Sequence, residues 1–169
     1  MSTKSIYIFS DTIQSGKTTF LEKWIIGREN IGGILTPDQN GLRKLKFLSS
    51  QTTKELQIDD DRKAVTEKYT TVGKFTFLSS AFNLANAQII SDVKTKKFDW
   101  ILIDEVGKLE LKDQGLHQAV SFATQYFKSN NSNSSLLLVV RDYLLDDVIN
   151  KYALKEAQVL HKLDFLDLP

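Results

Sequence analysis

Cysteine is absent from the chain and histidine is nearly absent, with only His117 and His161 among 169 residues. The absence of cysteine excludes disulfides, thiolate metal sites and cysteine nucleophiles. Two histidines give little basis for a histidine-rich metal site or a histidine relay, and we interpret both as structural or exposed side chains. No apolar run approaches the roughly 18 residues that cross a bilayer, and the N-terminus shows no signal-peptide pattern. We therefore expect a cytoplasmic location and no membrane partner.

A large excess of charge of either sign is also lacking, because 22 basic and 21 acidic side chains leave a formal net charge of +1. This balance gives no electrostatic reason to expect a nucleic-acid partner. Hydrophobic residues make up 41% and charged residues 25% of the chain, which is typical of a soluble globular protein. The length predicts a single domain over residues 1–169. The oligomeric state stays open, with a monomer favoured.

Short apolar runs predict buried strands, and apolar residues at helical spacing predict helices between them. The predicted strands span residues 5–9, 31–35, 75–78, 100–103, 136–140 and 157–163, and the predicted helices span residues 20–25, 81–93, 114–127 and 143–152. An alternating pattern over residues 42–58 predicts an inserted β-hairpin, and the three aspartates at 59–61 favour a solvated turn over a cation site. This alternation indicates an α/β fold in three layers, a mostly parallel central sheet flanked by helices. The strand order stays open.

The first predicted strand leads directly into the polar segment Ser10–Thr19, which opens a helix. Within it, Gly16-Lys17-Thr18 matches the end of the P-loop pattern, in which four residues separate a first glycine from Gly-Lys-Ser/Thr. In such a loop, backbone N–H groups cradle phosphates, the lysine reaches the β- and γ-phosphates, and the threonine hydroxyl ligates Mg²⁺. We therefore expect a nucleoside triphosphate such as ATP or GTP, rather than a chance Gly-Lys-Thr. The predicted nucleotide-binding residues are Asp11, Thr12, Ile13, Gln14, Ser15, Gly16, Lys17, Thr18 and Thr19.

Asp11 stands where the pattern has its first glycine. Aspartate tolerates left-handed backbone angles better than most residues, so the turn remains feasible. A carboxylate near phosphates is electrostatically unfavourable unless it points away or is paired. We therefore expect Asp11 to weaken nucleotide affinity or to change the preferred nucleotide.

A second acidic motif follows the apolar run Trp100–Ile103, where Asp104 and Glu105 end the strand. Carboxylates at the carboxyl end of a parallel strand lie at the edge where open α/β sheets bind ligands. We expect Asp104 to hold Mg²⁺ together with Thr18, and Glu105 to activate the water that attacks the γ-phosphate. The alternative is a pair of solvated acidic residues.

Basic residues near the same sheet edge are the remaining candidates. Arg141 ends the buried strand Leu136–Val140 and would stabilise charge on the transferring phosphoryl group, with a surface ion pair as the equal alternative. Lys108 and Glu110 follow the acidic pair closely, so that either one lines the site or both belong to a salt-bridged loop. The predicted catalytic residues are Glu105, Lys17 and Arg141, with Lys108 as a site-lining residue.

These motifs together resemble the THEP-type nucleoside-triphosphatases, small RecA-like P-loop proteins. The matching stretches are SGKTTFLEKW (15–24), GGILTP (32–37), VGKF (72–75) and IDEVGKLEL (103–111), the last being the most specific. The resemblance implies a P-loop NTPase fold, slow hydrolysis of nucleoside triphosphates with Mg²⁺, and site roles for Lys17, Thr18, Asp104, Glu105, Lys108 and Arg141. The chain departs from the family pattern at Asp11, at Asn83, where an acidic residue is expected, and at Val140, where histidine is usual.

Three functions are compatible with this sequence. The favoured one is a Mg²⁺-dependent nucleoside-triphosphatase, because Glu105 directly after Asp104 suits water activation. The second is a nucleotide-binding module without turnover, in which Asp11 has removed hydrolysis. The third is a small-molecule or nucleoside kinase that needs an acceptor.

Overall fold

The computed structural model describes residues 6–129 and 132–168. The helices are α1 (Lys17–Trp24), α2 (Ser79–Thr95), α3 (Lys108–Leu111), α4 (His117–Ser129) and α5 (Leu145–Lys151). The strands are β1 (Ile6–Asp11), β2 (Ile31–Leu35), β3 (Asp38–Gln39), β4 (Leu42–Phe47), β5 (Thr52–Glu55), β6 (Gln57–Ile58), β7 (Tyr69–Val72), β8 (Phe75–Leu78), β9 (Trp100–Val106), β10 (Ser135–Arg141) and β11 (Gln158–Leu160). Short 3₁₀ turns cover Asp60–Arg62, Asp142–Leu144 and Lys162–Asp167.

The central sheet has the strand order β11-β1-β10-β9-β2-β4-β3, with β5 also paired to β4. The five strands from β11 to β2 are parallel, and the inserted strands β4, β3 and β5 continue the sheet in antiparallel pairs. Strand β10 lies between β1 and β9, although it follows both in sequence. The carboxyl ends of β1, β10, β9 and β2 therefore meet at one sheet edge, where ligands bind in folds of this class.

Both faces of the central sheet are covered, as the apolar strands predict. Helices α2, α4 and α5 pack on one face, in a core that includes Ile8, Ile103 and Leu138. Helix α1 and the last 3₁₀ turn cover the other face, where Phe9 and Phe165 lie with ring centroids 4.8 Å apart. Trp24 and Trp100 also belong to this second core, with ring centroids 5.3 Å apart in an edge-on arrangement. These four aromatic residues therefore pack in the second core.

The predicted hairpin is only partly correct. Strands β4 and β5 form the antiparallel hairpin, but Leu56 is buried and directs the chain away from it. Residues 57–58 instead join a separate three-stranded sheet with the order β6-β8-β7. The predicted strand 75–78 is β8 of this small sheet. The hairpin is shorter than predicted because β5 lies at the edge of the central sheet. An edge strand can end after four residues without breaking the sheet.

Most predicted strands and helices differ from the structure by one to three residues at their ends, and the differences have a visible cause in two of them. The predicted helix 114–127 begins only at His117, because Asp113 and Gly115 adopt positive φ angles of 60° and 61° and form a turn. The predicted strand 157–163 ends at Leu160, and the chain then bends so that Phe165 reaches the core beside α1. The aspartates at 59–61 lie at an exposed 3₁₀ turn, where Asp60 pairs with Lys63. Residue 5, the predicted start of the first strand, lies outside the described residues.

Within residues 6–129 and 132–168, no helix is both long and apolar enough to cross a bilayer.

Candidate active site

The loop between β1 and α1 has a backbone built for close approach of a ligand. Gly16 caps α1 with φ 77° and ψ 31°, and Gln14 also has a positive φ of 57°. Nothing lies within 4 Å of the position that a Cβ on Gly16 would occupy, so the space above the helix start is open. Free N–H groups at a helix N-terminus attract anions. Residues 12–14 and 16 are exposed, while the side chain of Lys17 is buried.

The Lys17 ammonium folds back over its own loop. Nζ donates to the carbonyl oxygens of Thr12 at 2.7 Å and Asp11 at 3.0 Å, and it lies 3.4 Å from Ser15 Oγ. Burial lowers the pKa of Lys17, and the charges of Asp11 and Glu105 oppose this shift. Two neutral carbonyl groups of the loop thus hold the lysine ammonium. It can leave them and turn toward a phosphate.

Asp104 joins three segments of the sheet edge. Its Oδ2 accepts the hydroxyl of Thr18 at 2.7 Å, and the N–H and hydroxyl of Thr36 at 2.9 Å and 3.1 Å. The side chain is fully buried, and burial, followed by the nearby charge of Glu105, raises its pKa. Thr36 was not predicted as a site residue, although it directly follows the apolar strand β2, as Asp104 follows the apolar run Trp100–Ile103.

Residues that fit a divalent cation are present at this point. Asp104 Oδ1 is buried and has no hydrogen-bond partner among the described residues, while the Thr18 hydroxyl lies against Oδ2. An orphaned carboxylate oxygen next to a hydroxyl is a hard oxygen donor set of the kind that Mg²⁺ takes in phosphate sites. Thr18 and Asp104 are therefore the side chains on this edge that suit the cation.

Glu105 occupies a strained backbone position. It has a φ of 65°, which is rare for a residue with a Cβ and costs free energy that surrounding contacts must offset. Its carboxylate pairs with Arg43 through Oε1 at 2.5 Å and with Arg141 through Oε2 at 3.3 Å. About a third of the side chain remains exposed. The two arginines therefore hold Glu105 at the sheet edge, beside the buried Asp104.

Arg43 is a site residue that the sequence did not indicate. It lies on the inserted strand β4, and its guanidinium reaches Glu105 because β4 pairs with β2, whose parallel neighbour is β9. The predicted hairpin has many charged residues, and no sequence motif or spacing sets this arginine apart from them as a site residue. Its proximity to Glu105 follows from sheet order alone.

Comparison with known proteins agrees with this geometry. The family model described as NTPase matches residues 7–165, which is nearly the whole chain. The chain belongs to the NTPase family. The predicted enzyme class, a nucleoside-triphosphatase, and the predicted THEP-type resemblance are thereby confirmed.

Solved structures similar to this NTPase-family chain include THEP1 from the hyperthermophile Aquifex aeolicus, with 16% identity and a TM-score of 0.66 over 92% of this chain and 88% of that one. A human cancer-related nucleoside triphosphatase is also similar, with 17% identity and a TM-score of 0.62 over 94% of this chain and 88% of that one. At such identities the likeness concerns the fold, and the predicted three-layer P-loop fold is confirmed. No curated protein matches the chain by sequence.

The turn after β9 in this family member is fixed by a buried carboxylate. Glu110 accepts the backbone N–H of Gly107 at 2.8 Å and of Leu116 at 2.7 Å. Burial raises the pKa of Glu110, and these two hydrogen bonds oppose the shift. Lys108, on the same turn, is exposed and places its ammonium 5.8 Å from the centroid of the Tyr143 ring. Glu110 is thus a structural brace of the loop, while Lys108 reaches the site.

A cavity of about 230 Å³ opens at this sheet edge. The charged residues that line it are the predicted Lys17, Asp104, Glu105, Lys108 and Arg141, together with Arg43 and Glu110. Thr18 adjoins it through the hydrogen bond to Asp104. Residues 11–16 and Thr19 of the predicted nucleotide-binding loop do not line the cavity. The structure therefore brings the predicted catalytic and metal-binding residues together.

Asp11 and the C-terminal turn shape the outer side of the loop. Asp11 Oδ1 accepts the N–H of Thr12 at 2.8 Å, and this bond is the main cause that lowers the pKa of Asp11. Lys162 Nζ donates to the Ser15 carbonyl at 2.6 Å, a contact that the sequence did not indicate. His161 lies 3.2 Å from the Ser10 carbonyl oxygen, and His117 lies 2.9 Å from the Tyr152 hydroxyl. Both histidines make structural contacts, as predicted.

Proposed function

We infer that this protein binds a nucleoside triphosphate with Mg²⁺ through residues 11–19 and hydrolyses the bond to the γ-phosphate. The observation that carries this inference is the contact of the Thr18 hydroxyl with Asp104, next to Glu105 and Lys17, at one end of one cavity. Membership of the NTPase family supports the reaction class.

Binding begins at the loop. The backbone N–H groups of Ile13, Gln14 and Gly16 and the start of α1 receive the phosphates, because they lie at the positive end of the helix dipole. Lys17 exchanges its contacts with the Asp11 and Thr12 carbonyls for the β- and γ-phosphate oxygens. The exchange replaces two neutral acceptors by charged ones, which form stronger hydrogen bonds with an ammonium.

Thr18 and Asp104 would hold Mg²⁺, and the cation would neutralise charge on the phosphates when bound. A cation next to Asp104 also explains why a fully buried carboxylate is kept there. Without a positive partner, burial of a carboxylate costs several kcal/mol.

Glu105 accepts a proton from the attacking water. The water adds to the γ-phosphorus, the bond to the nucleoside diphosphate oxygen breaks, and inorganic phosphate leaves with the diphosphate. Arg141 and Arg43 flank the same point, so they position Glu105 before attack and stabilise the charge on the phosphoryl oxygens during transfer.

The direct test is release of inorganic phosphate from ATP, GTP, CTP and UTP by the purified protein, with Mg²⁺ and with EDTA. We expect Mg²⁺-dependent release that Lys17→Ala abolishes. Lys23→Ala, on the last turn of the same helix, serves as the matched control and leaves the rate unchanged. Nucleotide binding without release by the wild-type protein would refute hydrolysis and favour a binding module.

The setting of this activity belongs to the same proposal. One domain over residues 1–169, a monomer and a cytoplasmic location fit the composition and the absence of cysteine. The net charge of +1 gives no support for a nucleic-acid partner.

A further inference from the structure

The cavity at the sheet edge continues beyond the place of the phosphates. Among residues 11–19, all of them described, Lys17 alone lines it. Lysine at this position serves the β- and γ-phosphates, so the nucleoside lies on the opposite, open side of the loop. Glu105, Arg43 and Arg141 also line the cavity and are joined by ion pairs. We expect the part of the cavity that other segments line to stay open when a nucleotide is bound.

Much of the cavity wall is apolar. Six of the apolar residues come from the small sheet and the residue before it, from α2 and from the turn before α4, and they are Leu56, Val72, Phe75, Phe77, Phe82 and Leu116. The rings of Phe77 and Phe82 lie 5.9 Å apart, centroid to centroid. Phe75 is 40% exposed at the end of the small sheet, an unusual place for a large apolar side chain. Exposed apolar surface that continues into a cavity is typical of a ligand site.

The size and chemistry of these walls limit the ligand. Protein interiors are close-packed, and an apolar void leaves its lining without contacts. A cavity of about 150 Å³ lined by aliphatic and aromatic side chains accommodates one benzene ring. The present cavity measures about 230 Å³ with its charged residues included, so its apolar part takes at most one ring with a short substituent. A nucleobase fits poorly, because its several hydrogen-bonding groups would face apolar walls.

We propose that this cavity binds a small alcohol with one apolar ring, and that its hydroxyl takes the place of water as acceptor of the γ-phosphoryl group. The proposal rests on the proposed nucleotide site. The ring lies between Val72, Phe77 and Phe82, and the side-chain hydroxyl extends to Glu105. The hydroxyl oxygen bonds to the γ-phosphorus, the bond to the nucleoside diphosphate breaks, and Glu105 accepts the hydroxyl proton. The products are a phosphate monoester and a nucleoside diphosphate.

The acceptor role explains why charged and apolar residues line one cavity together. A ring in this cavity displaces water from Glu105, so transfer to the alcohol competes with hydrolysis. Tyr143 and Lys108 also line the cavity, and the Lys108 ammonium lies 5.8 Å from the centroid of the Tyr143 ring.

The test uses the full chain with γ-labelled ATP, Mg²⁺ and benzyl, phenethyl or phenylpropyl alcohol at millimolar concentration. This series moves the hydroxyl outward in single-carbon steps, so it covers the distance from the ring site to Glu105. Labelled phosphate ester and labelled phosphate are separated and counted in the same sample. Val72→Phe fills the cavity, and Val65→Phe, on the same insert but fully exposed and outside the cavity, is its matched control.

We expect ester with at least one alcohol in the wild type and Val65→Phe, and at least tenfold less ester in Val72→Phe. Phe75→Ser, at the partly exposed rim, gives a second variant that tolerates substitution and should raise the KM for the alcohol. Phosphate release without ester for all three alcohols overturns the acceptor proposal and leaves the proposed hydrolysis standing. Equal ester formation by Val72→Phe also overturns it. Absence of both products refutes the proposed function itself.

Discussion

The Thr18 hydroxyl donates to Asp104 Oδ2 at 2.7 Å, which links the start of α1 to a strand end 86 residues later in the sequence. Two further hydrogen bonds from Thr36 meet the same oxygen, so three segments converge on one buried carboxylate. The other oxygen, Oδ1, is buried without a partner among the described residues. This arrangement keeps a buried carboxylate in place at a cost in free energy, which we expect of a functional rather than a stabilising residue.

Asp104→Asn should therefore stabilise the protein in the absence of metal and nucleotide. Burial and the charge of Glu105 raise the pKa of Asp104 above its ordinary value of 3.8. The native state then binds more protons than the unfolded chain just above that pH, so stability falls as the pH rises through this window. Thermal unfolding in EDTA should show a melting temperature higher by a few degrees for Asp104→Asn at neutral pH.

The difference in melting temperature between the wild type and Asp104→Asn should become smaller as the pH falls toward 4, because the wild-type carboxyl becomes neutral as well. Added Mg²⁺ and ATP should reverse the order by stabilising only the wild type. A variant that is less stable than the wild type at neutral pH in EDTA would contradict this account of Asp104.

Arg43→Gln should lower the rate of hydrolysis by about ten- to a hundredfold, since a charge-assisted contact contributes about 1.5–3 kcal/mol. Its partner Glu105 would lose the shorter of its two ion pairs and with it a fixed orientation. Nucleotide affinity should change little, because the loop of residues 11–19 is untouched. Steady-state kinetics separates kcat from KM. Arg62→Gln, which breaks an exposed pair with Glu55 on the same insert, should leave both unchanged.

Asp11→Asn should raise nucleotide affinity by about two- to fivefold at low ionic strength, because one negative charge near the phosphates is removed. Asparagine keeps an oxygen that can accept the N–H of Thr12, so the loop is preserved. Titration with a fluorescent ATP analogue at two salt concentrations measures the effect, which should decrease as salt is added. If the wild type and Asp11→Asn bind the nucleotide with equal affinity at both salt concentrations, the Asp11 carboxylate lies too far from the phosphates to affect binding.

Gly33 and Gly41 form a matched pair of glycines with positive φ angles of 89° and 82°. A Cβ on Gly33 would meet the backbone oxygen of Leu102 in the neighbouring strand β9, while a Cβ on Gly41 would meet nothing within 4 Å. Gly41→Ala should cost only the backbone strain of about 1–2 kcal/mol. Gly33→Ala should cost several times more, because strands β2 and β9 must separate. Chemical unfolding of both variants compares the two, and equal losses would contradict the close approach of these strands.

The sequence predicted the residues of this site that follow apolar strands. Arg141 ends β10, Asp104 lies near the carboxyl end of β9, and Lys17 begins the helix after β1, and parallel strands bring such positions to one edge. Arg43 was not predictable, since its place depends on the pairing of an inserted strand with the central sheet. The left-handed backbone of Glu105 has no counterpart in composition or spacing. The small sheet that carries Phe75 and Phe77 was also missed in part, because its strands have only two to four residues.

Glu105→Gln tests the central claim most directly, because it replaces one carboxylate oxygen by an amide nitrogen and leaves the loop and Asp104 in place. Phosphate release from ATP and GTP, with nucleotide affinity measured in parallel, is the measurement. The account predicts a fall in kcat of about 10²-fold or more with affinity retained within a few-fold. Glu55→Gln, which removes a paired glutamate of the insert outside the cavity, should retain the full rate. A rate for Glu105→Gln within a few-fold of wild type would contradict the claim that this carboxylate activates the nucleophile.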